Sequence, residues 1–264
     1  MKKYWEAAKT AFKTRAAYRF DTAMQVFASL ARVLFAWLLW TAIFQGRSTV
    51  AGFTLDTMLL YYLLQAFFAQ MDNTGRIAEE LSDYIRNGAF SKFLVLPVRV
   101  QGYLFAQSLG SAAYSLFFSL AAGAFCLLAV PFQPTVTRSF ADFLQALALL
   151  LLGRVFLTQL NFYLGILTFR FQDIWLFLMI KSNLMAFLTG ALVPLALLPG
   201  GVLSVLRLTP FYYTGYLPAM LILGRGGGEG IFGVLTLCAW IAFFFFLNKY
   251  MYVHLRTRYD GVGI

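Results

Sequence analysis

Few residues in this chain could do chemistry. His254 is its one histidine, and no histidine pair, HExxH or CxxC offers a metal site. Cys126 and Cys238 both fall inside apolar runs and read as small buried hydrophobes, not as a disulfide or metal pair. No G-x-S-x-G surrounds any serine, and no carboxylate stands in the middle of an apolar segment, so an enzyme centre has nothing to build on. The run 224-GRGGGEG-230 lacks a following Lys-Ser/Thr and reads as a flexible turn. What remains are cations in apolar surroundings. Arg32, Arg154 and Lys181 stand inside long apolar segments, with Gln159 and Asn161 beyond Arg154 and Ser182 and Asn183 beyond Lys181. A charge there is costly unless it is paired, hydrated or able to reach the boundary on its long stem. Arg154 is the deepest by sequence. Arg154, Lys181 and Asn161 admit two readings: a polar pathway or subunit seam, or groups satisfied within the structure. Arg32 reads as reaching the cytoplasmic boundary.

The elements that must position these residues follow from composition. Hydrophobic residues make up 61% of the 264 and charged residues 12%. A soluble domain carries about a quarter charged residues, so the chain reads as an all-α integral membrane protein. The net charge of +10 sits mainly at the ends of apolar segments, which argues for membrane topology and against nucleic acid. With about 20 residues per span, six transmembrane helices are expected near 22–45, 54–72, 101–130, 140–168, 173–198 and 231–253. The third and fourth are long enough to tilt or protrude. Residues 1–21, with six Lys and Arg beside Tyr4, Trp5 and Phe12, predict an N-terminal interfacial helix with no cleavable signal pattern. Fourteen Lys and Arg fall on the side of both termini and the 73–100 loop and four on the other, which makes the termini cytoplasmic.

One polar-faced helix breaks the apolar pattern. In 77-IAEELSDYIRNGAF-90, Ile77, Leu81, Tyr84 and Ile85 share a face, and Glu79, Glu80, Asp83 and Arg86 lie opposite, with Gly88 placed to end the helix. It is too short and too charged to cross a bilayer, so it reads as a docking surface for a soluble partner. Ser111, Ser115, Ser119 and Gly123 form a small-residue stripe suited to close helix packing. Between the fifth and sixth spans, Pro194, Pro199, Pro210 and Pro218 break an apolar stretch into pieces too short to span. Residues 199–218 therefore predict re-entrant half-helices on the outer side.

Six spans, a basic interfacial N-terminus, the segment 77-IAEELSDYIRNGAFSKFLVLPV-98, and 199-PGGVLSVLRLTPFYYTGYLPAMLILG-224 with 256-RTRYDGVGI-264 together resemble the ABC-2 type permeases, in particular a bacterial group often encoded as paired permeases with one ATPase. The resemblance spans the chain. It implies a multi-pass permease subunit of an ATP-driven exporter in the bacterial inner membrane, dimeric with itself or a paralogue. Its cargo would be hydrophobic or amphipathic: a drug, antibiotic or lipid-like molecule. The helix at 77–90 would be the coupling helix, with Glu79, Glu80, Asp83, Tyr84 and Arg86 against the ATPase. The chain itself carries no G-x-x-x-x-G-K-[ST] and hence no cofactor; ATP and Mg²⁺ would be bound by two copies of the partner. Two other classes are an ion-coupled secondary transporter, which would need intramembrane acids or inverted repeats, and a non-transporting membrane scaffold.

Overall fold

The computed structural model describes residues 2–129, 136–226 and 228–259, and among these the chain is helical, with no strand beyond one isolated bridge between Val50 and Phe53. The helices are α1 (Lys2–Ala17), α2 (Arg19–Ile43), α3 (Leu55–Met71), α4 (Gly75–Arg86), α5 (Ser91–Val95), α6 (Val100–Ala129), α7 (Phe140–Ile166), α8 (Thr168–Phe171), α9 (Trp175–Leu188), α10 (Gly200–Leu206), α11 (Leu217–Ile222) and α12 (Gly230–Leu255). Among the described residues, four stretches are long and apolar enough to cross a membrane: Phe20–Ile43, Val100–Ala121, Phe140–Phe171 and Gly230–Leu255. α3 has 17 residues and α9 only 14. The expected span 173–198 is thus helical over Trp175–Leu188 alone; Gly190 then turns the chain with φ +76°. Glycine is required there, because a Cβ would fall 2.5 Å from the Tyr61 hydroxyl, which donates to the Gly190 carbonyl at 2.6 Å.

Packing divides into two apolar clusters, one at each end of the bundle. At the α4 end, Ile77, Ala78, Leu81 and Ile85 of α4 meet Phe90, Phe93, Leu104, Phe162, Ile166, Ile174 and Leu255. At the opposite end, Phe53, Met58 and Tyr61 pack with Leu149 and Phe156 of α7, Tyr213, Tyr216 and Leu217, and Leu237 of α12. Helix lengths explain the division. At 1.5 Å per residue, α6 and α7 are roughly 45 and 40 Å long, longer than the ~30 Å hydrocarbon layer. Their ends at Val100–Leu104 and Phe162–Ile166 give the amphipathic α4 an apolar wall to bury against. Contact is close at Gly165, where an added Cβ would lie 3.0 to 3.2 Å from Leu81 and Ala78.

Helix α1 runs against the first half of α6. The Ala8 carbonyl approaches so near Gly110 that a Cβ there would sit 1.9 Å from it, and Phe12 meets Tyr114 edge-on with ring centroids 5.5 Å apart. Trp5 is 69% exposed. The serines of the small-residue stripe are buried: Ser111, Ser115 and Ser119 are 5 to 7% exposed. Cys238, expected to be buried, is exposed on α12 because that helix turns most of its apolar surface outward; Cys126 has no described side chain.

The proline-rich stretch is broken as its sequence demands. It forms a 3₁₀ turn at Leu195–Leu197, then α10, a π-helical turn at Tyr212–Tyr216, and α11 with Pro218 in its first turn. Arg207 and Glu229 form an ion pair at 2.7 Å there, and Tyr212 donates to the same carboxylate at 3.0 Å.

Candidate coupling site

The loop Asp72–Thr74 between α3 and α4 is the meeting point of the polar residues in the bundle. Asp72 Oδ1 accepts from the Thr74 amide at 2.9 Å and its hydroxyl at 2.6 Å, which turns the chain from one helix into the next. Thr74 has no exposed surface, and Asn73 is buried. Each is held from outside the loop. Arg15 of α1 donates to Asn73 Oδ1 at 3.0 Å while pairing with Asp21 at 3.0 Å, and Asn73 Nδ2 donates to Ser115 of α6 at 3.3 Å. Asn161 of α7 donates to the Thr74 hydroxyl at 3.0 Å and accepts from Lys181 of α9 at 2.9 Å. Four further helices therefore grip the start of α4. A buried network of this kind is rigid when satisfied and expensive to break in part.

Arg154 belongs to the same level. One guanidinium nitrogen donates to the carbonyl of Met71, the last residue of α3, and another to Ser108 of α6 at 3.3 Å. It therefore sits at the level of the α3 C-terminus. The cation satisfies a helix-end carbonyl that the helix itself leaves open. One turn further along α7, Gln159 accepts from Gln101 of α6 at 2.5 Å and from Asn248 of α12 at 2.8 Å. Arg154, Asn161 and Lys181 thus come together as braces around one loop.

The five residues expected to meet a partner divide into two groups. Glu79, Asp83 and Arg86 are exposed on α4. Glu80 is half-buried, sharing a small cavity with Arg76, Leu104, Gln107 and Ser111 of the α4–α6 seam. Burial pushes its carboxyl above the usual carboxylate range, against the pull of Arg76. Tyr84 is also half-buried, its ring 5.4 Å from Phe93 with the Lys92 ammonium 3.7 Å over it; burial, with help from Glu80, pushes its phenol up to about 12. The helical-face count placed Tyr84 on the apolar side but missed Glu80, because α6 forms a second wall beside α7. The far end of α4 is tied as well. Gly88 adopts φ +72°, and its carbonyl accepts from Tyr259 at 2.8 Å.

The sequence reading also missed Arg15, Asn73, Gln101 and Asn248. Asn248 carried a usable signal, an uncharged amide in an otherwise apolar span, which in lipid must find a partner on another helix. Arg15 and Asn73 carried none, since a loop asparagine and one of six basic residues look ordinary.

A family model described as ABC-2 family transporter protein matches residues 30–263. No curated protein matches the chain. With four membrane-length apolar helices, an apolar bundle and a match over nearly the whole sequence, the chain belongs to the ABC-2 transporter family and is a multi-pass membrane permease.

Proposed function

We propose that this chain is the permease subunit of an ATP-driven exporter, with α4 as the coupling helix that seats in a separate ATPase. In this reading α2, α3, α6, α7, α9 and α12 are six transmembrane helices, with α3 and α9 the short ones. Both termini and α4 lie in the cytoplasm of a bacterial cell, and two such permeases, identical or paralogous, work with two ATPase copies that bind ATP and Mg²⁺. The observation that carries the reading is the contrast within α4. Its outer face presents Glu79, Asp83 and Arg86 with no ion pair recorded among the described residues. Its inner face and both ends are fastened to α1, α6, α7, α9 and the end of α12.

A push on the free face would therefore move several spans together. That suits alternating access by rocking of packed bodies better than a hinge at α4. The broken segment 195–222 supports an outer closure, because backbone interruptions at membrane depth are stable only when covered by protein or water. The exported cargo is hydrophobic or amphipathic. The test is co-purification from native membranes in mild detergent, comparing wild type with Glu79→Lys, Asp83→Lys matched for expression. An ATP-binding subunit retained by wild type and lost from the variant is the expected result. Absence of any such subunit from wild type overturns the reading.

A further inference from the structure

Beside the braced loop, and lined in part by it, lies an open cleft. It measures about 610 Å³ and runs from Arg76 and Glu79 on α4, past Arg15, Asp72 and Asn73, to Gln25, Ala28 and Arg32 of α2 and Ala69 and Gln70 of α3. A smaller cavity of about 70 Å³ adjoins it and shares Arg32 and Ala69; Val33, Tyr62, Gln65, Ala66 and Ala191 complete its lining. The cleft has the size of a small-molecule site, and Arg32 stands where the two spaces meet.

Two buried donors along this path are left without a partner. Gln65 is 5% exposed and its Nε2 makes no hydrogen bond; Arg15 is 6% exposed and its Nε makes none. Arg32 donates to Ser29 at 2.9 Å and has no carboxylate partner, and Arg76 has none either among the described residues. Of these cations only Arg15 is paired with a carboxylate, that of Asp21 outside the cleft lining. Asp72 is turned onto its own loop, Asp21 holds Arg15 from the exposed side, and Glu79 sits on the exposed face of α4. None lines the upper cavity. On the same helix, Phe27 and Phe35 are 66% and 69% exposed and offer an apolar surface beside the cations.

We propose that this cleft binds an amphiphile with an anionic, phosphate-like headgroup, held by Arg32 with Arg76 and Arg15 below it and Gln65 above, its apolar tail along α2. Guanidinium groups recognise tetrahedral oxyanions through paired N–H donors, and an unmatched arginine at the membrane boundary is stabilised by such a partner. The proposal deepens the permease reading and rests on it for the orientation of the cleft. It is distinct from the polar pathway or subunit seam that one of the two sequence readings placed at Arg154, Lys181 and Asn161.

The experiment is native mass spectrometry of the delipidated permease titrated with phosphatidylglycerol or phosphatidylcholine. Wild type is compared with Arg32→Gln, Arg32→Lys, Arg76→Gln and the control Arg47→Gln. Expected are preferential retention of phosphatidylglycerol by wild type and the control, about tenfold weaker retention for Arg32→Gln, and an intermediate loss for Arg32→Lys and Arg76→Gln. Millimolar inorganic phosphate should leave the lipid in place; its displacing the lipid overturns the amphiphile in favour of a small soluble anion. Equal retention of both lipids, or no effect of the arginine variants, overturns the site. If Arg32→Gln does not fold, the wild-type headgroup comparison and the exposed Arg76→Gln still decide. Because the readout is lipid binding, its failure is distinct from loss of the ATPase, which co-purification reads.

Discussion

The Tyr259 hydroxyl donates to the Gly88 carbonyl across 2.8 Å and lies 3.0 Å from the Ser91 hydroxyl, so the chain leaving α12 is fastened to the turn that ends α4. Its ring packs edge-on against Phe90 and Phe169, with centroids 5.2 and 6.0 Å away. Two contributions are separable here. Tyr259→Phe removes the hydrogen bonds and keeps the ring contacts, at a cost of about 1 kcal/mol. Tyr259→Ala removes both, at about 2–3 kcal/mol for a half-buried aromatic. Thermal unfolding in detergent should rank wild type above Phe above Ala; equal values for Phe and Ala would put the whole effect in the hydroxyl.

Glu80 should make stability pH-dependent. Burial against α6 raises its folded pKa above the unfolded value, Glu79 and Asp83 push the same way, and Arg76 and Lys92 oppose. The folded state therefore holds its proton to higher pH than the unfolded chain does. By linkage, stability falls as pH rises from the unfolded pKa through the folded one, and is greatest below both. Glu80→Gln should raise the melting temperature at neutral pH, with the gain vanishing near pH 4. A gain that persists at pH 4 would assign the effect to packing and not to charge.

How much of this was legible in the sequence depends on whether a residue's partner is near in the chain. The polar helix at 77–90 was readable because its period is local, and the structure starts it two residues earlier, at Gly75. The breaks at 194–218 were readable because proline acts on its own backbone. The partner of Arg154 was not readable because it is the last carbonyl of α3, 83 residues away. Glu80 was assigned to an open face because one helical wheel shows a single wall, while α4 sits in a corner of two. Arg32 was read as merely reaching the boundary; the cleft it lines is made by residues from four helices and has no trace in any one of them.

Two glycines with the same helical setting should behave oppositely. At Gly165 an added Cβ meets Leu81 at 3.0 and 3.1 Å and the Ala78 backbone at 3.2 Å, so α4 must shift away from α7. Gly165→Leu should cost about 1–3 kcal/mol by overpacking and loosen α4, seen as faster hydrogen exchange across 75–86. At Gly123 nothing lies within 4 Å, so Gly123→Ala should be neutral or stabilising by up to ~1 kcal/mol through helix propensity. A neutral Gly165→Leu would mean that α4 does not need its close seat.

The ion pair of Arg207 with Glu229 should act as a clasp on the broken segment at the end opposite α4. The 2.7 Å contact joins the end of α10 to the turn before α12, and Tyr212, in the π-helical turn between them, donates to the same carboxylate at 3.0 Å. The Arg207 side chain is 45% exposed and that of Glu229 29%, so screening keeps the pair's own worth to ~1 kcal/mol or less. Its larger effect should be local. Glu229→Gln leaves Arg207 without its partner charge, and hydrogen exchange in 207–222 should quicken severalfold while α4 and α7 are unchanged. The swap Arg207→Glu, Glu229→Arg restores opposite charges and should recover much of the protection. High salt should reproduce part of the Glu229→Gln effect in wild type, because an exposed pair is screened. If both the single variant and the swap leave exchange as it was, the segment is held by the aromatic packing of Tyr212, Tyr213 and Tyr216 and not by charge.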